Sequence, residues 1–133
     1  MSAGWQNTPP PKQSVALSLN LQANDFVSAV CDRLDVEVSE IIGRRKHTEL
    51  SQLRQLLMHI LHTDFGMFYA EIGRMMDRNH ATVIFAVRQS DNRIETNQVD
   101  LRLRQYLETC EDVFRTQHGY SPKIFTKWHT TRK

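Results

Sequence analysis

Between residues 50 and 61 the side chains Leu50, Leu53, Leu56, Leu57, Ile60 and Leu61 recur at helical steps. That spacing lines one side of an α-helix, so a helix is expected over roughly residues 48–63, with its leucine stripe at the centre of a core. The same period runs on either side of it. Phe26, Val27, Val30 and Leu34 mark a first helix that begins near Asn24, with Asn24 or Asp25 placed to cap it. Val36 to Gly43 reads as a short helical turn that Gly43 can end. Phe68 to Met76 and His80 to Glu95 form two helices joined by the tight turn Asp77-Arg78-Asn79. Leu101, Leu103, Tyr106, Leu107, Cys110, Val113 and Phe114 supply the apolar stripe of a last helix, from about Gln98 to Gln117. The predicted fold class is all-α, a compact domain of five or six helices.

A chain of 133 residues has room for one such domain. The expected division is a flexible arm over 1–22, where Pro9, Pro10 and Pro11 stand among Ser, Gln and Asn; a helical domain over 23–118; and a basic tail over 119–133 that carries Lys123, Lys127, Arg132 and Lys133 and no acid. Trp5 and Trp128 could anchor these ends to the core or to a partner. The formal net charge is only +2, so any affinity for phosphate depends on where the cations sit. The two cysteines, Cys31 and Cys110, are too few for a disulfide scaffold and favour a reducing compartment. No run approaches the ~18 apolar residues of a membrane span, and a cytoplasmic protein is expected.

No nucleophile with a base, no carboxylate pair and no ligand cluster is apparent, so neither an enzyme nor a cofactor is expected. His59 and His62 lie three apart on one helix, a spacing that can share a metal, but nothing nearby completes a zinc site.

Two helices joined by so short a turn make a helix-turn-helix. A helix that enters the major groove needs one apolar side to hold it on its domain and one small or polar side to meet base edges. Stepping ~100° per residue puts Val83, Ile84, Val87 and Ile94 on one face of the helix after the turn. Ala81, Thr82, Phe85 and Gln89 fall on the other, with Arg88 at the flank, and Asn79 and His80 stand at the N-terminus. Phe85 is unusual on a reading face; it either meets a thymine methyl or packs under the tail against Phe125 and Trp128.

These residues resemble the C-terminal DNA-binding domain of the bacterial replication initiator DnaA, whose fold is related to the Trp repressor helix-turn-helix. The matching positions are Glu71-Ile72-Gly73, then Arg78-Asn79-His80-Ala81-Thr82-Val83 and Ala86-Val87-Arg88, with Arg54-Gln55 opening the long helix. Val38 to Lys46 is similar to the family's short helix and basic loop. The resemblance covers about residues 25–115. It implies that Asn79, His80, Ala81 and Thr82 contact bases of double-stranded DNA. Arg44, Arg45, Lys46, Arg54, Arg78 and Arg88 are implied to hold phosphates.

The departures bear on specificity. Where the family has an acidic base-reading residue stands Asn79, whose amide shifts preference from cytosine toward adenine. Where it has a hydroxyl stands Ala81. Gln52-Leu53 stands where the family has the arginine that enters the minor groove, followed by a proline. No GxxxxGK(S/T) phosphate loop is present, so a reading domain without an ATPase is expected, acting as a regulator or replication accessory. The rival is an adaptor that has kept the fold and lost specific DNA binding, with a protein partner on its arm or tail.

Overall fold

The computed structural model describes residues 11–42 and 50–131, and every regular element among them is a helix. In chain order these are α1 (Pro11–Arg33), α2 (Val38–Ile41), α3 (Ser51–Thr63), α4 (Tyr69–Met76), α5 (His80–Glu95), α6 (Leu101–His118) and α7 (Lys123–Thr131). The leucine stripe lies where the rest converges. Leu53, Leu56, Leu57, Ile60 and Leu61 are fully buried, and α4, α5, α6 and α7 all pack on α3.

The helix α1 lies along α6. Phe26 stands in that contact with its ring centroid 5.4 Å from Phe65 and 5.9 Å from Phe114, and Arg33 pairs with Asp112 at one end. α1 begins at Pro11, inside the stretch expected as an arm, and Asn24 and Asp25 lie in its interior rather than at its cap. Proline suits the first turn of a helix, where its missing N–H has no partner to lose. Residues 12–33 contain no glycine or further proline. Ser, Gln and Asn cost a helix only roughly 0.7 kcal/mol each at most, too little to stop one.

α6 starts at Leu101 because Asp100 caps it, its Oδ1 accepting the Leu103 N–H at 2.8 Å. Leu101 therefore sits in the first turn and is exposed, outside the stripe expected to hold it. The stripe proper is Leu103, Tyr106, Leu107, Cys110, Val113 and Phe114, all buried. Cys110 and Cys31 are held as thiols: burial pushes Cys31 up to about 11 and raises Cys110 as well, so neither is a ready nucleophile at neutral pH. No helix among the described residues is long and apolar enough to cross a membrane.

Beyond Gly119, where the backbone turns at φ 84°, lies the stretch expected as a basic tail. It folds into α7, which packs on α5 and α3 and buries Ile124, Phe125 and Trp128. Both ends of α7 are fastened. Asp64 Oδ1 accepts the Lys123 N–H at 2.5 Å. Glu111 accepts hydrogen bonds from the Ser121 hydroxyl at 3.1 Å and from His129 Nε2 at 3.0 Å. Burial raises the Asp64 carboxyl against the opposing pull of Lys123, which marks how far this joint is withdrawn from water.

Candidate nucleic-acid interface

The interface is built outward from the turn between α4 and α5. Glu71 Oε1 accepts the Phe68 N–H at 2.8 Å and so closes the start of α4. Ile72 is fully buried and ties that helix to the core. Gly73 lets the turn fold back on it: a Cβ at this position would stand 2.7 Å from the Arg78 carbonyl oxygen. Asp77 takes a left-handed backbone with φ 53°, and the Asp77 and Arg78 N–H groups both reach the Gly73 carbonyl, Arg78 at 2.8 Å. The chain then re-enters a helix at Asn79, whose Oδ1 accepts the Ala81 N–H at 2.7 Å. Glu-Ile-Gly and Arg-Asn-His are thus the two halves of one hinge held at a fixed angle.

α5 has the two faces that its sequence requires. Val83, Ala86, Val87, Ser90 and Ile94 are buried, while Asn79, His80, Ala81, Thr82, Phe85 and Arg88 are exposed. Phe85 keeps 57% of its surface in solvent, so it does not pack beneath the C-terminal segment. Phe125 and Trp128 fill the core on their own account.

The cations are placed differently from one another. Arg88 is exposed and lines a cleft of about 370 Å³ together with Tyr69 and Lys123. Arg78 is half-buried and folds back on its own turn, donating to the Met76 and Asp77 carbonyls at 3.3 and 3.2 Å. Arg54 is turned inward, only 7% exposed, and donates to the Ile41 carbonyl at 3.0 Å and the Glu40 carbonyl at 2.9 Å. It thereby holds the end of α2, shortly before Arg44-Arg45-Lys46 in the sequence. Burial and then the neighbouring Arg78 guanidinium lower the Arg54 pKa. Both arginines line a cleft of about 190 Å³ with Ser51, Gln55, Thr82 and Phe85, and no carboxylate faces it among the described residues. Arg44, Arg45 and Lys46 lie outside the described residues.

The two histidines of α3 turn to separate partners. His59 is buried, with Nδ1 3.0 Å from the Ser90 hydroxyl. His62 places Nδ1 3.0 Å from the Met67 carbonyl oxygen and stacks on Tyr69. Ser90 and Tyr69 went unnoticed in the sequence, because no local spacing links them to the residues they touch.

Comparison with known proteins decides the family. The pattern of the family described as bacterial DnaA protein helix-turn-helix matches residues 23–89 of the chain, from within α1 to the middle of α5. The chain belongs to that family. Its all-helical fold is that of the DnaA helix-turn-helix domain, which is a DNA-binding domain. Among curated relatives it is 31% identical to the chromosomal replication initiator protein DnaA of Bacteroides fragilis over 98 residues, 71% of this chain and 20% of that protein. It is 32% identical to the DnaA of Mycoplasma pneumoniae over 70 residues, 53% of this chain and 16% of that protein. With the DnaA 2 of Chlamydia caviae the identity is 29% over 89 residues, 67% of this chain and 19% of the relative. The match thus spans about a fifth or less of these initiators. No solved structure matches the chain. α6 and α7 lie beyond the matched family region, as does the end of α5 after residue 89.

Proposed function

We propose that the chain is a sequence-preferring reader of double-stranded DNA that inserts the start of α5 into the major groove and serves replication or transcriptional control. The observation that carries this is the exposed face of α5 beginning at a capped helix N-terminus, with Arg54 and Arg78 lining a cleft on one side and Arg88 and Lys123, beside Asp91, lining one on the other. Helix N-terminal N–H groups and flanking arginines suit phosphate, and the small side chains between them suit base edges. Arg88, Arg78 and the loop Arg44-Arg45-Lys46 hold the backbone in this reading. Arg54 gives two of its five N–H groups to α2 carbonyls, so its part is first to hold the end of α2 and only then to offer its remaining donors to a phosphate.

His80 and Thr82 read bases. Asn79 Oδ1 accepts the Ala81 N–H with one lone pair, which leaves the second lone pair and the amide NH2 to read a base. Its NH2 suits purine N7 while the oxygen can accept from adenine N6, a two-point contact compatible with the cap. Ala81 offers a methyl contact in place of a hydroxyl. This shifts preference away from the duplex that an acidic residue and a hydroxyl would select.

Binding should weaken steeply with salt, and Arg88→Ala should lower the log–log salt slope by about 1. Selection of bound duplexes from a random pool, followed by anisotropy titrations of the winner and a scrambled duplex, tests the reading. His80→Ala should bring the two affinities together with a preference loss of about 1–3 kcal/mol. Absence of any shift on duplex DNA at low salt would sink the proposal. It would favour the adaptor reading, for which the exposed Phe85 ring is the best observation.

A further inference from the structure

His80 is exposed at the first position of α5, and a solvent-exposed imidazole with two free torsions is a poor reading head until something holds it. Side chains of a helix lean back toward its N-terminus, which here means toward the turn and the start of α4. There the His80 ring meets Tyr69 at 6.1 Å between centroids with 29° between planes. Tyr69 is itself stacked on His62 at 4.2 Å and 15°. The His62 ring is fixed in turn, since its Nδ1 lies 3.0 Å from the Met67 carbonyl, an acceptor that requires the proton on Nδ1. Three rings from α3, α4 and α5 therefore form one column that runs from the half-buried His62 to the exposed start of α5. Its inner end is pinned to the backbone and its outer end is His80.

We infer that Tyr69 is a positioning residue that sets the His80 ring for base reading, with His62 as its support. The inference rests on His80 reading a base, as proposed above, but the geometry of the column stands without DNA. Tyr69 is half-buried and also lines the cleft that holds Arg88 and Lys123, so it borders the interface without occupying the groove. Its ring, not its hydroxyl, makes both stacks. A phenylalanine should therefore serve and a leucine should not.

The test uses the full chain carrying Tyr69→Phe, Tyr69→Leu, His80→Ala and the Tyr69→Leu/His80→Ala pair. Each is titrated with the selected duplex and with the same duplex altered at the base that His80→Ala no longer distinguishes. Tyr69→Leu should cut that discrimination roughly two- to tenfold, the factor that ordering one side chain at an interface is worth. Tyr69→Phe should keep it, and Tyr69→Leu should remove nothing more once His80 is gone. Thermal melts show which variants are folded, and the His80 imidazole proton resonances report the ring contact directly. They should move in Tyr69→Leu and stay in Tyr69→Phe. An equal loss of affinity for the selected duplex with and without His80, or unmoved His80 resonances in Tyr69→Leu, would overturn the inference. If the natural chain binds no duplex, the base-reading proposal fails and the column stands or falls on the resonances alone.

Discussion

Trp128→Ala is expected to destabilise the chain by about 3–5 kcal/mol, the usual cost of emptying a buried tryptophan site. Trp128 is 1% exposed and packs edge-on to Phe125 at 6.0 Å. Removing it opens a cavity where α7 meets the helices it covers, and the melting temperature should drop by on the order of 10–20 °C. Calorimetry or a circular dichroism melt reads this directly. The contrast is with a basic tail that only wraps DNA: there the same substitution would leave the melt unchanged and lower the affinity for duplex. Because α7 packs on α5, its loss should also loosen the reading helix. Affinity is therefore expected to fall at temperatures near the lowered melt and to recover on cooling. A chain whose melt does not move would mean that α7 is not part of the core.

The reason α7 is hard to see in the sequence is physical. Ile124, Phe125 and Trp128 do have helical spacing, but a nine-residue helix is marginal alone and depends on its dock, so lysines and a glycine break dominate the local reading. The start of α1 is obscured in a similar way, since polar residues with tolerable helix propensity resemble an arm. α5 is the opposite case. Its span from His80 to Glu95 was legible because the tight turn before it and its two faces agree, while the Asn79 cap came only with the structure. Arg54 carried a signal of its own orientation: it falls within the stripe of Leu50, Leu53, Leu57 and Leu61 and so had to point inward, where only carbonyl partners make such a charge tolerable. The column of His62, Tyr69 and His80 had none, because its members meet only once three helices are packed.

Gly73→Ala separates two opposed effects by sign. In an exposed helix interior, alanine is favoured over glycine by about 1 kcal/mol, so on propensity alone the change would stabilise α4. The observed approach predicts the reverse. A Cβ at Gly73 stands 2.7 Å from the Arg78 carbonyl oxygen, and this neighbour is backbone, part of a turn already closed by two N–H groups on the Gly73 carbonyl. The turn cannot yield without moving Asn79, and with it the cap and the axis of α5. Overpacking of this kind costs about 1–3 kcal/mol, so the net change in unfolding free energy should be a loss. On the function proposed above, the loss of discrimination should exceed the loss in stability, because a small change of angle at the hinge displaces the exposed side chains at the start of α5, whereas attraction of the arginines to phosphate is less sensitive to angle. Discrimination between the selected and scrambled duplexes is therefore expected to fall while the salt slope stays. Denaturant unfolding and the two titrations measure this together, and a stabilised Gly73→Ala chain with intact discrimination would show that the turn does not pack on α4 as closely as the structure places it.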